Sequence, residues 1–452
     1  MRGTRRALVA VVGAAALVLG AVVAPAAFAE TAESGLWWYE RGNIQAAHDA
    51  GFDGSGVTVA VIDSQINPDV IGLRGADIEI REPSYCIDDA GNPYPAVSTD
   101  FAAAGHGTQV VSMIVGTGEA PPGGAPIKGV APGARVLYFN GSVIGPDGTE
   151  CVQEGGDELD QKEGRFALDI AISDAVAAGA DIISISWGGA ADVSDGIAEA
   201  IASDVVVVAA MSNEDGISFW PAGMNGVVAV QAFGEDRKIQ IGEYGTPNVS
   251  EDVEIAAPGL NVLVPGSADS WDAQSLNSGT SLATPIVAGM LAVVKQKYPD
   301  ATGDQLIQSL IHNTGTKGEH EPEWNHSTGY GAASLTGMLA VDPTKYPDEN
   351  PLFDSTDELE IPAQAEVDRA AERLFGSTAE PTTEPSASDP SVPASIGDVA
   401  TAVMPWLIGG GVALVLLIAG AVIIVAVTRS SQRKAPAEPQ NTTAQGGDDG
   451  RQ

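Results

Sequence analysis

Residues 277–285 read Asn-Ser-Gly-Thr-Ser-Leu-Ala-Thr-Pro, and an apolar run over residues 286–294 follows at once. A run that is apolar nearly all round predicts a helix inside the core. Pro285 suits the first turn of such a helix, where a missing N–H costs little. Ser281 would then lie at the helix start, where free N–H groups and a partial positive charge favour an oxyanion. Taken alone, a buried helix capped by Ser or Thr is an equally good interpretation, because a serine is a poor nucleophile without a base.

A carboxylate follows another apolar element. Residues 57–62 read Val-Thr-Val-Ala-Val-Ile, which predicts a buried strand of a parallel sheet, and Asp63 comes directly after it. Open α/β sheets place their sites at the carboxyl edge of such strands. By itself, an aspartate at this position more often caps a turn or a helix.

A histidine lies between two glycines in the sequence Gly-His-Gly-Thr at residues 105–108. The apolar residues that follow, up to residue 115, predict a helix with His106 at its start. Glycine allows close approach of backbone or substrate, and a histidine in this position suits proton transfer. His48, by contrast, is interpreted as a structural or surface residue.

Apolar patterns typical of strands and helices alternate between residues 136 and 210. Strands are predicted at 136–139, 181–186 and 205–210, and helices at 166–178 and 197–201. This alternation predicts an α/β fold with a mostly parallel sheet and helices on both faces. The strand that ends at residue 210 leads to Asn213, so we expect an amide side chain at the same sheet edge as Asp63.

Both ends of the 452-residue chain have features of export and membrane insertion. Residues 1–29 combine arginines, an apolar run and Ala-Phe-Ala, which predicts a secretory signal peptide. Residues 403–428 carry no charge and are long enough to cross a bilayer as a helix. Basic residues in the tail 429–452 place that tail in the cytoplasm. The sequence therefore predicts a single-pass protein of the cell membrane with an extracytoplasmic main domain.

The segments between these ends differ in composition. Residues 30–42 form a short extension, residues 43–343 form one large domain, and residues 344–402 form an acidic Pro-, Ser- and Thr-rich linker with one helix near 363–374. The chain has 60 Asp and Glu against 22 Lys and Arg, a formal charge of −38. Because phosphate binding needs a basic surface, nucleic acid is excluded as a partner.

Two cysteines, Cys86 and Cys151, fall in the exported part of the chain. In an oxidising compartment one disulfide is the natural interpretation. On the chain-entropy model it would contribute roughly 4 kcal/mol. Two free buried thiols are the alternative.

Asp63, His106 and Ser281 occur in the order of the subtilisin arrangement. With the sequences around them, they make the chain resemble the subtilisin-like serine peptidases, the subtilases. The matching stretches lie within residues 43–343: Val-Ala-Val-Ile-Asp-Ser at 59–64, Gly-His-Gly-Thr at 105–108, Ser-Trp-Gly-Gly at 186–189, the strand leading to Asn213, Ala-Pro-Gly at 257–259 and Gly-Thr-Ser-Leu-Ala-Thr-Pro at 279–285.

The resemblance implies a serine endopeptidase that cleaves proteins or peptides through an acyl-enzyme. It implies Ser281 as nucleophile, His106 as general base and then acid, and Asp63 as the group that orients the imidazole. Asn213 and the Ser281 backbone N–H would form the oxyanion hole. The primary specificity pocket would be lined by residues from two segments: Ser186, Trp187, Gly188, Ala210, Met211 and Ser212.

Several positions depart from the usual pattern of the family. Gln65 stands two residues after the aspartate, where Gly is usual, and Leu282 follows the serine, where Met is common. Neither change removes a reacting group. Met211 and Ser212 stand where small residues, ending in Gly, usually precede the oxyanion Asn, and Trp187 stands where a Leu is common. We therefore expect a narrowed pocket and a restricted range of substrates.

Cys86 and Cys151 lie in two stretches that are longer than the family needs, at about 81–104 and 141–164. We expect their disulfide to tie these two insertions together near the rim of the cleft. Intact-mass analysis that finds two free thiols would contradict this expectation.

The signal peptide, short extension, Pro-rich linker and single membrane helix are similar to those of mycosins, anchored subtilases associated with type VII secretion in actinobacteria. This likeness implies partners in the secretion machinery. The competing interpretation is a catalytically idle subtilase fold that acts as a scaffold of a membrane secretion complex. Calcium often accompanies the family, but the sequence contains no ligand string that identifies a metal site, so no cofactor is assigned.

Overall fold

The computed structural model describes residues 32–87, 92–141, 152–153, 166–189, 192–214, 219–242 and 245–376. The predicted signal peptide, the predicted transmembrane helix and the tail lie outside the described residues. So do Cys151 and the side chain of Cys86, and with them the predicted disulfide. In the part of the chain that is described, no helix is both long and apolar enough to cross a membrane.

Seven of the described strands form one parallel sheet in the order β2-β4-β1-β6-β7-β8-β9. Their bounds are β1 Thr58–Asp63, β2 Ile78–Arg81, β4 Arg135–Asn140, β6 Ile182–Ile185, β7 Val206–Ala210, β8 Val228–Phe233 and β9 Ile255–Pro258. Two antiparallel pairs lie outside it: β3 Cys86–Ile87 with β5 Val152–Gln153, and β10 Val262–Ser267 with β11 Ser270–Asn277. The predicted mostly parallel α/β sheet is confirmed.

The helices lie on both faces of this sheet. Their bounds are α1 Trp37–Arg41, α2 Ile44–Asp49, α3 Phe101–Val115, α4 Ala167–Ala177, α5 Ser194–Ala202, α6 Thr280–Lys297, α7 Gly303–His312, α8 Leu335–Ala340 and α9 Gln364–Phe375, with short 3₁₀ helices at Ala32–Leu36 and Pro343–Lys345. Strand β1 shows why two layers are needed. Val59 and Val61 belong to the core that contains α3 and α6, whereas Ala60 and Ile62 belong to the core that contains α4 and α5. Side chains alternate between the two faces of a strand, so an almost wholly apolar strand must be covered twice.

The compact unit extends beyond the predicted boundaries of the main domain. In the predicted N-terminal extension, Trp37 and Trp38 are buried, and Trp37 Nε1 donates to Leu260 O at 3.1 Å. In the first part of the predicted linker, Asn225 Nδ2 donates to the carbonyl of Pro362 at 3.0 Å, and α9 packs its apolar side against α5. The helix predicted near 363–374 is confirmed. Composition alone missed this packing, because a few buried side chains suffice to attach an acidic, Pro-rich segment.

Glu254 precedes β9 and is largely buried, and its Oε2 has no hydrogen-bond partner in the described part of the chain. Burial, with the charge of Asp252 second, raises the pKa of the Glu254 carboxyl from 4.5 to about 8. Between these two values the folded state holds a proton that the unfolded state has lost, so stability falls as pH rises. We expect Glu254→Gln to increase the free energy of unfolding at pH 8 by on the order of 4 kcal/mol. At pH 4 the two proteins should be nearly equal.

Urea unfolding at both pH values measures this difference, with both proteins carrying Ser281→Ala as a common background. Glu321→Gln, at an exposed position, is the matched control and should have little effect at either pH. An equal gain at pH 4 and pH 8 would show that the Glu254 carboxyl does not titrate in this range.

Candidate active site

Asp63 and His106 form a hydrogen-bonded pair at the carboxyl end of β1. The distance from His106 Nδ1 to Asp63 Oδ1 is 2.7 Å, and the Ser64 backbone N–H donates to the same oxygen at 2.7 Å. The Asp63 side chain is 1% exposed and the His106 side chain 47% exposed. The negative charge of Asp63 raises the pKa of the imidazole, although partial desolvation opposes this effect. The pair is therefore a buried carboxylate that holds one ring nitrogen of a solvent-accessible imidazole.

Helix α3 positions His106 from its second turn, not from its start as the sequence predicts. The helix begins at Phe101 because Asp100 caps it, accepting from the Ala102 N–H at 3.1 Å. Position 107 has no room for a side chain, because a Cβ on Gly107 would lie 2.0 Å from Tyr138 Oη and 2.7 Å from the carbonyl of Gln65. The glycine next to the histidine thus allows α3 to pack against the loop after β1.

Ser281 lies in the first turn of α6, where its backbone N–H has no partner within the helix. Its Oγ donates to the carbonyl of Ser186 at 2.9 Å. Among the described hydrogen bonds none joins Ser281 to His106, but both residues line the same cavity. In ligand-free sites such bonds often form only with substrate. The hydroxyl would have to turn away from Ser186 to reach the imidazole.

Pro285 lies in the second turn of α6 rather than in the first, because the helix begins at Thr280. A proline has no N–H, so the carbonyl of Ser281 loses its usual donor four residues later. Ser186 Oγ donates to that carbonyl instead, at 2.8 Å. Ser186 and Ser281 are thus joined by two reciprocal hydrogen bonds, which tie the helix start to the end of β6.

Asn213 follows β7 and is oriented by its neighbours. Its Oδ1 accepts from the Thr280 backbone N–H at 3.1 Å and from Gln240 Nε2 at 2.9 Å. Because a backbone N–H can only donate, Oδ1 and not Nδ2 must face it. The Nδ2 group is left for the exposed side of the residue.

A cavity of about 280 Å³ is lined by His106, Asn213 and Ser281 together. All six predicted pocket residues line it, together with His106, Asn213, Thr280 and Ser281. Two further lining residues, Glu214 and Phe219, have no sequence signal that would have identified them. Phe219 reaches the site because the next residue, Trp220, pairs with Gly189, and the Trp220 N–H donates to the Gly189 carbonyl at 3.0 Å.

The unusual pocket residues differ in how they contribute to this cavity. Met211 is 3% exposed and belongs to the core on the α4 and α5 side, so most of its side chain is packed away from solvent. Trp187 is half-buried against that core, and its Nε1 is buried without a partner among the described residues. The indole of Trp187 therefore narrows the pocket more than the side chain of Met211 does.

A larger cavity of about 1080 Å³ lies between α1 and residues 314–340. None of Asp63, His106 and Ser281 lines it, so it is separate from the paired histidine and aspartate. Within the described residues, no group of three or more His, Cys, Asp or Glu side chains is placed to hold a metal ion.

The family model described as Peptidase_S8, Subtilase family, matches residues 54–331, more than half of the chain. The chain belongs to the subtilase family. This subtilase is 32% identical to subtilisin BL of Lederbergia lenta over 294 residues, which cover 63% of this chain and 93% of subtilisin BL. It is 28% identical to fervidolysin of Fervidobacterium pennivorans over 339 residues, which cover 69% of this chain and 44% of fervidolysin.

A solved structure, that of the prenylagaramide maturation protease PagA, resembles this subtilase with a TM-score of 0.49 at 23% identity. The similarity covers 66% of this chain and 98% of that chain. The family match and the relatives of known sequence show that this subtilase is a serine endopeptidase.

Proposed function

We propose that Ser281, His106 and Asp63 are the catalytic residues of this endopeptidase and that Asn213 and the Ser281 N–H form its oxyanion hole. The observation that carries this proposal is the 2.7 Å bond between His106 and Asp63 beside a cavity that Ser281 and Asn213 also line. Each group comes from a different element, namely β1, α3, α6 and the loop after β7.

The geometry supports the following sequence of steps. With a peptide in the cavity, Ser281 Oγ leaves the Ser186 carbonyl and attacks the scissile carbonyl carbon, while His106 Nε2 takes its proton. Asp63 holds the Nδ1–H side of the ring and stabilises the imidazolium. The tetrahedral oxygen receives hydrogen bonds from Asn213 Nδ2 and the Ser281 N–H. The imidazolium then gives its proton to the leaving amine, and a water molecule, activated by the same base, hydrolyses the acyl-enzyme.

A fluorophosphonate probe tests this proposal because it labels only an activated serine. We expect labelling of the wild type and of Ser270→Ala, in which an exposed serine is removed, but not of Ser281→Ala. The alternative function is an idle scaffold of a membrane secretion complex, which the bond from Ser281 Oγ to Ser186 would favour. Absence of labelling in every protein would support that alternative.

For the whole chain we propose an exported, single-pass membrane protein whose peptidase domain faces outward, mycosin-like in architecture and associated with type VII secretion. The support is the sequence of residues 1–29 and 403–428. We also propose that Cys86 and Cys151 form a disulfide between the two insertions. Strands β3 and β5 support this pairing, because they bring the backbone of Cys86 opposite Gln153, two residues from Cys151. Protein substrates and secretion-machinery partners belong to the same proposal.

The wall of the specificity pocket yields a prediction about substrate choice. We expect Trp187→Leu to raise kcat/KM for peptides with Phe or Tyr before the scissile bond by about tenfold, because the smaller side chain frees volume. The kcat/KM for the matching Ala peptide should change little. The measurement is therefore the ratio of the kcat/KM values for the aromatic peptide and the Ala peptide. Broad cleavage of a peptide library by the wild type, with large aromatic residues preferred at that position, would contradict a narrowed pocket.

A further inference from the structure

Two groups hold the carbonyl end of the Asn213 side chain, and they come from two different parts of the chain. The Thr280 backbone N–H belongs to α6, whereas Gln240 Nε2 belongs to the connection between β8 and β9. Thr280 Oγ1 also lies 3.2 Å from Asn213 Oδ1, but its single proton makes the shorter bond, 2.6 Å, to the carbonyl of Met211. Gln240 is therefore the only side chain among the described residues whose proton is committed to Asn213.

Gln240 is itself fixed by a buried polar network. Its backbone N–H donates to Ala232 O at 2.9 Å, and its carbonyl accepts from the Asn248 N–H at 2.9 Å. Asn248 is 2% exposed, and its Nδ2 donates to the carbonyl of Ser212 at 2.7 Å, the carbonyl directly before Asn213. Gln231, fully buried, donates to the Asn248 carbonyl at 2.6 Å. The network therefore makes hydrogen bonds to the backbone carbonyl of Ser212 and to the side chain of Asn213.

The energetics of Gln240 favour a role in positioning over a role in stability. Its Oε1 is buried without a partner in the described part of the chain, and an unsatisfied buried acceptor costs about 1–3 kcal/mol. If the Gln240 side chain contributed only to the stability of the fold, an apolar side chain of similar size would give an equal or higher free energy of unfolding. What Leu cannot replace is the donor to Asn213 Oδ1.

We propose that Gln240 is a positioning residue of the oxyanion hole, which holds the Asn213 amide with Nδ2 towards the cleft, while Asn248 fixes the preceding carbonyl. This inference rests on the proposed function of Asn213. Donors contribute to catalysis only when they aim at the place where the oxyanion forms, so a small rotation of the amide weakens them. Gln240 acts through Asn213 and touches no reacting atom.

A double-mutant cycle tests this inference with a fluorogenic peptide amide that has Ala before the scissile bond. We expect Gln240→Leu to lower kcat by about tenfold with little change in KM, a part of the 10²–10³ that loss of a whole oxyanion donor costs. In the Asn213→Ala background, Gln240→Leu should leave kcat unchanged, because no amide remains to be aimed. The free energy of unfolding of Gln240→Leu should equal or exceed that of the wild type.

Thr246→Ala is the matched control, since its exposed side chain lies on the same connection outside the network, and its kcat should equal that of the wild type. Gln240→Glu keeps the size of the side chain, places an oxygen against Asn213 Oδ1, and serves in the same cycle if Gln240→Leu does not fold. An unchanged kcat, or an equal fall in both backgrounds, would overturn the inference. A wild type that neither cleaves the peptide nor reacts with the fluorophosphonate would instead contradict the proposed function.

Discussion

Ser281→Ala should lower kcat for peptide hydrolysis by about 10⁶-fold, the loss known for removal of a subtilisin-type serine. Alanine cannot form the acyl-enzyme, so only attack by water within the remaining site is left. The backbone of α6 should keep its place, because the Ser281 carbonyl still accepts from Ser186 Oγ. KM should therefore change much less than kcat. Steady-state hydrolysis of a fluorogenic peptide amide, at enzyme concentrations high enough to detect residual turnover, measures both constants.

Ser270→Ala is the control for the loss of a serine hydroxyl, and it should retain the wild-type kcat because its side chain is exposed and does not line the cavity that holds Ser281. Retention of more than about one thousandth of the wild-type kcat by Ser281→Ala would exceed what an oxyanion hole and binding leave on their own. That result would assign the nucleophile to another residue.

Asp63→Asn should lower kcat by about 10⁴-fold while the site keeps its shape. The asparagine can hold the ring through its amide, but it favours the wrong tautomer and cannot stabilise the imidazolium. Asp63 has a second consequence, which concerns pH. Its charge raises the pKa of His106 above the ordinary histidine value, and the base must be neutral to accept a proton. Wild-type kcat/KM should therefore decrease as the pH is lowered, and the midpoint of this decrease should lie above the ordinary pKa of histidine.

In Asp63→Asn the same acid limb should move to lower pH, because the carboxylate that favours the protonated imidazole is gone. The measurement is kcat/KM as a function of pH from about 5 to about 9, an interval that includes the range in which histidines titrate. Asp69→Asn, at an exposed position on the loop after β1, is the matched control and should shift neither the limb nor the maximum. A limb that stays in place in Asp63→Asn would show that Asp63 does not set the protonation of His106.

The strand pattern predicts part of the candidate site because burial on both faces is visible in single segments. An apolar run such as 57–62 must lie inside a two-layer fold, so the polar residue that follows it comes out at the sheet edge. The structure has Asp63 at the end of β1 and Asn213 just after β7. The order of these residues with His106 and Ser281 adds the likeness to subtilases, which the family match confirms.

Local patterns were less informative where a helix begins, and there the expectations were wrong. The glycines around His106 suggest a helix start, but Asp100 caps α3 earlier and both glycines lie inside the helix. Pro285 likewise lies in the second turn, where its missing N–H leaves the Ser281 carbonyl to Ser186. At α3 the local cap by Asp100 outweighs the preference of the two glycines. At α6 a contact from a distant residue, Ser186, compensates for the missing N–H of Pro285, so the preference of a single residue could not place either helix start.

The amino-acid sequence by itself determined the layered α/β fold and the identities of the candidate reacting groups, since apolar periodicity and a few polar residues at strand ends are properties of short segments. Only the tertiary structure decided which groups hold them. Gln240 meets Asn213, Ser186 meets Ser281, and Tyr138 meets Gly107 across long separations along the chain. Such contacts depend on how the layers pack, and a hydrogen bond or a missing Cβ matters only once two distant backbones are brought within a few ångströms.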